Sequence, residues 1–346
     1  MDNAHKIFPA CFVEFPPEAE RQRCAFYLAA EEYIAQNFPE DYYVFSWQIG
    51  PTALLGRNQT LHKEINFDFC KQHGIDVLRR KSGGGTVYAD WGNLMTSLIT
   101  PAGSVEPIFT AYVHQISDGL NRIGAPTEVS GRNDITLKGG GKICGNAFYH
   151  LAQHNIVHGT MLHDTQMDLM IGALNPDPDK LESQGVKSVR SRIALLKDYL
   201  PFGVDVLRQK MRLILTDRSV KLTVDDLAEI RKIEATYYTQ EMIFGQTSKA
   251  TTVCSDRIEG CGRVEFSITL RGSIIDDLRL GGDFFEVGDK SAEASFQEAL
   301  IGLPFSREEI TEKLNELKPQ ANIRRLEAKD VLHILFHNIN EKIRNQ

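Results

Sequence analysis

Residues 79–94 read RRKSGGGTVYADWGNL, so Arg79, Arg80, Lys81 and Ser82 run straight into Gly83, Gly84 and Gly85. Consecutive glycines leave the backbone bare, which lets several N–H groups approach one ligand, and the cations beside them can pair with it bidentately. That combination suits an anionic phosphate. Alone, a triple glycine reads rather as a tight turn with solvated basic neighbours; placed between two strand-like runs, with Asp90 and Asn93 close behind, it favours binding. A second cluster, GRNDITLKGGGKICGNA at 131–147, offers Lys142 among glycines and short apolar residues, a compact charge with three donors for a carboxylate or phosphate. It is not a P-loop, because Thr136 stands where the first glycine of G-x-x-x-x-G-K-[ST] belongs and Ile143 follows the lysine. Gly139, Gly140 and Gly141 are expected to form a hairpin turn.

His150, His154, His158 and His163 fall at spacings of four, four and five, which on a helix would align three imidazoles for zinc. Phe148, Ile156, Val157 and Gly159 around them predict strand instead, where such spacing does not converge, and no metal is expected there. The run GVKSVRSRI at 185–193 carries Lys187, Arg190 and Arg192 with no acid between them, either a solvated face or a basic rim for an acidic partner.

The elements that must position these residues follow from hydrophobic spacing. Residues 18–38 predict a surface amphipathic helix; 42–49, 75–80 and 93–100 predict strands. Helices are expected near 63–73 and 107–123, stopped by Gly74 and Gly124. Strands fill 132–162, a helix follows at 165–174, and helices dominate 187–239. The stretch 239–262 is polar and aperiodic, which places a domain boundary within it, between a larger unit at 1–250 and a smaller one at 251–346. In the smaller unit, VEFSITL and IIDDLRL predict strands joined through Arg271, Gly272 and Ser273, and helices are expected at 291–302, 306–317 and 327–341. The fold class is α+β with a mixed sheet.

Composition narrows the function classes. The chain has 346 residues, a net charge of −7 and 42% hydrophobic residues, which suits a globular protein and disfavours non-specific nucleic-acid binding. No apolar run approaches a bilayer span and the first residues lack an export pattern, so neither a membrane nor export is expected. The six scattered cysteines suggest reduced thiols and a cytoplasmic setting.

Taken together, these residues resemble the lipoate–protein ligase family, within the biotin and lipoate ligase superfamily. RRKSGGGTVYADWGNL is similar to its R-R-x-S-G-G-G-x-V-x-x-D-x-G-N-L signature; GRND (131–134), Lys142 with Gly145 and Ala147, HGT (158–160) and KSVRSR (187–192) follow in the family's order. LLGRNQ to EIN (54–66) resembles a further family segment, with Thr60 where Asn is usual, and residues 262–285 resemble the opening of the C-terminal accessory domain, including Gly282, Asp283 and Phe284. TQEMIFG at 239–245 departs from the family's Trp-bearing stretch.

The resemblance implies a class II aminoacyl-tRNA synthetase-like large domain and a monomer. It implies an enzyme that adenylates lipoate with ATP, giving lipoyl-AMP and pyrophosphate, and passes the lipoyl group to a lysine of a lipoyl carrier domain, in the E2 subunits of 2-oxoacid dehydrogenases and in the H protein of glycine cleavage. It further implies that ATP and lipoyl-AMP meet Arg80, Ser82, Gly83, Gly84, Gly85, Thr86, Val87, Tyr88, Asn133, Asp134 and Lys142. Lipoate meets Arg79, Lys142 and His158, Lys142 is the catalytic residue, and Mg²⁺ arrives with ATP and takes Asp134 as ligand. Cys144, where the family often has Ser, opens an alternative: lipoyl or octanoyl transfer from a thioester by a cysteine nucleophile. A degenerate homologue that only binds lipoate is the rival from another class, and a biotin ligase is disfavoured because its G-R-G-R loop is absent.

Overall fold

The computed structural model describes residues 10–39, 41–131, 133–151, 154–174, 192–244 and 252–344. The chain divides into two compact units. The first comprises Met1–Leu55, Leu61–Arg80 and Thr86–Ile243, and the second Gly56–Thr60, Lys81–Gly85 and Phe244–Gln346.

The first unit is built on an eight-stranded mixed sheet, in agreement with the expected α+β class. Its strands are β1 (Ala10–Glu14), β2 (Tyr43–Trp47), β6 (Asn93–Pro101), β7 (Thr127–Ser130), β8 (Asp134–Leu137), β9 (Lys142–Leu151), β10 (His154–Leu162) and β11 (Thr216–Lys221). They lie in the order β11-β1-β2-β6-β10-β9-β8-β7, parallel across β11, β1 and β2 and antiparallel onward. A second sheet joins β3 (Thr52–Leu55) to β4 (Asp76–Arg79) and β5 (Val87–Ala89). Helices α2 (Leu61–Glu64) and α3 (Phe67–Gln72), stopped at Gly74 with φ +63°, replace the single helix expected near 63–73. Helix α5 (Met167–Ala173) packs on α3, with Gly172 leaving room for the Phe69 ring.

One face of the large sheet carries α1 (Cys24–Asn37), and the other α4 (Val105–Arg122) and α6 (Val204–Leu215). The 18–38 segment is not the surface amphipathic helix that the sequence suggests. Pro17–Ala19 make one 3₁₀ turn, Arg21 adopts a left-handed φ of 56°, and α1 then runs with every residue from Cys24 to Ala35 buried. The physical reason is a second cover: α7 (Val224–Thr236) packs on α1, so the helix is enclosed rather than half-solvated. Its acids find partners indoors. Glu31 accepts from Ser97 Oγ at 2.6 Å, and Glu32 accepts from the Tyr237 hydroxyl.

The 187–239 region is also less helical than expected, because β11 lies inside it. Its sequence, TDRSVK, is polar because it is a sheet edge, and its order comes from parallel pairing with β1. Short α8 (Gln240–Phe244) and strand β12 (Thr252–Ile258) likewise fall within the stretch that reads as aperiodic.

In the second unit β12 pairs with β13 (Gly262–Arg271) and β13 with β14 (Ile274–Gly282), the turn between the last two using Gly272 at φ +66°. Val264, Phe266 and Ile268 alternate inward, as a half-buried strand requires. Helices α9 (Ala292–Leu300), α10 (Arg307–Leu317) and α11 (Ala328–Arg344) complete it, the first two capped by Ser291 and Ser306. Among the described residues no helix is long and apolar enough to cross a membrane.

The Tyr237 hydroxyl is a donor to a carboxylate only 3% exposed. Tyr237→Phe is therefore expected to lower the unfolding free energy by about 1–3 kcal/mol in urea titrations.

Candidate active site

Lys142 opens β9 at a bulge where Thr136 faces it and Ile135 faces Cys144. Its Nζ lies 2.7 Å from Asp134 Oδ1, both side chains about one-third exposed. Gly145 makes this possible: it pairs with Asp134, and a Cβ there would stand 2.8 Å from Lys142 Nζ. The lysine thus folds back over a bare backbone position. Asn133 and Asn146 bind the corner from below, Asn133 Nδ2 donating to the Asn146 carbonyl at 2.8 Å and Asn146 Nδ2 returning a bond to the Asn133 carbonyl at 2.9 Å. Gly159 is bare for the same corner, since a Cβ there would meet Asn146 Oδ1 at 2.2 Å.

Strand register carries the argument further along that face. Thr160 stands opposite Gly145 and Met95; two residues on, His158 stands opposite Ala147 and Ser97. From Lys142 the face therefore passes Gly145 and Ala147, both small, and reaches His158 about 7 Å beyond Gly145. His158 is buried, its Nδ1 3.0 Å from Glu31 Oε1 and 3.1 Å from Oε2. The protons can be placed. Trp47 Nε1, a donor only, donates to Ser97 Oγ at 2.9 Å, and Ser97 donates to Glu31 at 2.6 Å. With Glu31 taken as the carboxylate, Nδ1 of His158 is assigned as its donor. Glu31, Ser97 and Trp47 were not singled out by the sequence, although two adjacent acids inside the apolar run AFYLAAEEYIA were a signal.

The other expected residues are placed as follows. Arg79 is buried, its Nε donating to the carbonyls of Met242 at 3.0 Å and Ile243 at 3.3 Å, which straps β4 to α8. Arg80 is also buried and gives Nη1 to the Leu54 carbonyl at 3.1 Å; burial, with Arg79 beside it, pushes its pKa down to about 10, leaving it charged at neutral pH. Thr86 Oγ1 is 3.4 Å from Glu64, and Val87 and Tyr88 are strand residues of β5, paired with Leu54 and Ala53. Burial and the Asp90 carboxylate push the Tyr88 pKa up. Asp90 and Asn93 brace a turn: Asp90 accepts from the Gly92 and Gln166 amides at 2.8 and 2.9 Å, and Asn93 from the Asp90 amide and Thr165.

Ser82, Gly83, Gly84 and Gly85 belong to the second unit. The Ser82 carbonyl accepts from the Arg57 amide at 2.9 Å. Each glycine has its own reason. A Cβ on Gly83 would lie 2.3 Å from the Phe284 carbonyl, Gly84 has φ +85° and donates to that carbonyl at 3.1 Å, and Gly85 faces open space. His150, His154, His158 and His163 are strand or strand-end residues; His158 pairs with Glu31 and His163 Nε2 with the Phe202 carbonyl. Lys187 and Arg190 lie outside the described residues. Arg192 is exposed, and one residue on Ile193 bridges to Lys142, with the Ala194 amide donating to the Lys142 carbonyl at 3.0 Å.

Residues 23–216 match the lipoyl protein ligase A/B catalytic domain family, and residues 247–335 match the bacterial lipoate protein ligase C-terminus. Lipoate-protein ligase LplJ of Bacillus subtilis is 32% identical over 321 residues, covering 89% of this chain and 96% of that one. The chain belongs to the lipoate–protein ligase family. Among solved structures, LipL1 of P. falciparum in complex with lipoate superposes with a TM-score of 0.74 at 17% identity, over 97% of this chain and 100% of that one. A bipartite lipoate protein ligase of Thermoplasma acidophilum, studied with its E2 lipoyl domain, gives 0.61 at 23% identity, over 71% and 100%. At these identities the two establish likeness of fold.

In this lipoate–protein ligase Cys144 is 1% exposed, with Sγ 3.6 Å from Asn146 Oδ1. Burial pushes its pKa up to about 12 against the pull of Lys142. A nucleophile for thioesters must be an accessible thiolate, and this thiol is neither accessible nor ionised. Iodoacetamide at pH 8 is expected to label Cys144 at least about a hundredfold more slowly in the folded than in the unfolded ligase, read by peptide mass spectrometry.

Proposed function

We propose that this ligase adenylates lipoate with ATP and then transfers the lipoyl group to a lysine of lipoyl carrier domains, in 2-oxoacid dehydrogenase E2 subunits and glycine cleavage H protein. The observation that carries the reading is Lys142: its ammonium is held by Asp134 over bare Gly145, at the head of small residues that lead to His158. A carboxylate bound at Lys142 lays its acyl chain along Gly145 and Ala147, with His158 at the far end. Arg79, whose Nε donates to the carbonyls of α8, stays in this proposal as a lipoate-binding residue.

Carboxylate attack on the α-phosphate of ATP builds negative charge that Lys142 and Arg80 neutralise, with the backbone from Ser82 to Tyr88 as the nucleotide's contact stretch. Gly85, whose absent side chain leaves open space, is the glycine of that loop kept bare for the ligand. Mg²⁺ enters with the triphosphate as substrate. One protein carboxylate and phosphate oxygens make an ordinary Mg²⁺ set, and Asp134 supplies the carboxylate; among the described residues no group of three His, Cys, Asp or Glu side chains is gathered for a resident ion. AMP then leaves as the acceptor amine attacks. That amine has an ordinary pKa near 10.4, so it reaches the anhydride only after losing its proton. The part beyond residue 250 is the accessory domain, and the enzyme works as a cytoplasmic monomer.

Purified protein is expected to exchange pyrophosphate into ATP only when lipoate is present. Lys142→Ala is expected to abolish the exchange, and Gly145→Ala to slow it at least about tenfold by displacing Nζ from Asp134. Exchange without a lipoate requirement, or none, would assign the site to another acid or to binding alone. An apo lipoyl domain incubated with the enzyme, ATP and lipoate is expected to gain one lipoyl mass.

A further inference from the structure

Trp91 occupies the variable position of the D-x-G-N turn and is 43% exposed, whereas the chain's other tryptophan, Trp47, is 2% exposed. It is held rather than loose. Gln48 Nε2 donates to its carbonyl at 2.6 Å, and its ring lies over Gly50, 3.6 Å from where a Cβ would be. The guanidinium of Arg21 sits over the ring at 5.7 Å, reached from a left-handed backbone that non-glycine residues rarely adopt. Arg208 donates to Gln48, and Lys197 pairs with Asp164, whose amide donates to the Gly92 carbonyl beside Trp91.

Register places this patch. Asn93, two residues past Trp91, pairs with Leu162; its neighbour Met161 pairs with Cys144, two residues from Lys142. The turn that carries Trp91 and the start of β9 that carries Lys142 therefore lie at the same end of the sheet, with β10 between β6 and β9. A fixed, exposed tryptophan beside arginine is the composition of a binding hot spot.

We propose that the Trp91, Arg21 and Arg208 patch is the docking surface for the acceptor protein, a carrier domain that presents acidic residues to the two arginines. The assignment rests on the ligase reading above, in which a protein acceptor must bring its lysine to the adenylate formed at Lys142. Docking there sets the acceptor lysine beside the adenylate without contributing to its formation.

Trp91 is its own reporter, since acrylamide reaches it and not Trp47. Titrating the full-length ligase with a tryptophan-free apo lipoyl domain is expected to cut acrylamide quenching at least about twofold, saturably, and Arg21→Glu to weaken the half-saturation about tenfold. Trp91→Ala is expected to raise the KM for the lipoyl domain about tenfold while leaving kcat and lipoate-dependent pyrophosphate exchange unchanged. Unchanged quenching at saturating lipoyl domain overturns the docking surface, as does an unchanged KM. Protection that follows the ligase's own concentration instead assigns the patch to a second copy and also overturns it. Absent exchange in the parent enzyme overturns the ligase reading, and the quenching titration still decides the docking.

Discussion

The Glu31 carboxylate, buried in α1 beside Glu32 and among apolar and aromatic residues, is the constraint around which the first unit is organised. An ion taken out of water costs several kcal/mol unless its lone pairs are filled. Ser97 and His158 fill them, and Ser97 is turned the right way by the Trp47 indole. One acid thereby ties α1 to three adjacent strands, β2, β6 and β10, and fixes which ring nitrogen of His158 carries a proton. Sliding any of those strands by one residue would turn its partner to the opposite face. The position of the face that runs from Lys142 to His158 is a by-product of satisfying that carboxylate.

Glycine in this protein has several meanings that look alike in sequence. Gly145 and Gly159 are bare because Lys142 and Asn146 cross them. Gly83 is bare for a carbonyl of the chain itself, Gly84 for its dihedral angle, and Gly85 for nothing in the protein. A triple glycine is therefore three separate backbone requirements, and a single alanine scan across it probes three different forces.

The elements with strong local patterns were legible: β2, β6, β9, β10, β13 and β14, and helices α4, α9, α10 and α11 lie where alternation or helical spacing puts them. The nearness of Lys142 to Asp134 was legible too, since both lie in the one 131–147 cluster that the sequence singles out. What escaped depends on distant pairing. β11 is a polar edge that becomes a strand only beside β1, and β12 needs β13. The solvent exposure assumed for α1 failed because its charges were counted as surface charges, although their partners sit up to 205 residues away. Arg79 is a further case of distant pairing, its Nε donating to carbonyls of α8 that lie 163 and 164 residues away in sequence.

The parallel trio β11, β1 and β2 has a consequence for the making of the protein. Glu14 is registered against Lys221, so β1 gains its outer neighbour only after about 200 further residues have been synthesised. At about 5–20 residues per second that is roughly 10–40 s during which β1 is a sheet edge and the outer side of α1, later covered by α7, is bare apolar surface. A nascent chain thus carries that open edge and that apolar face until β11 and α7 have both been made.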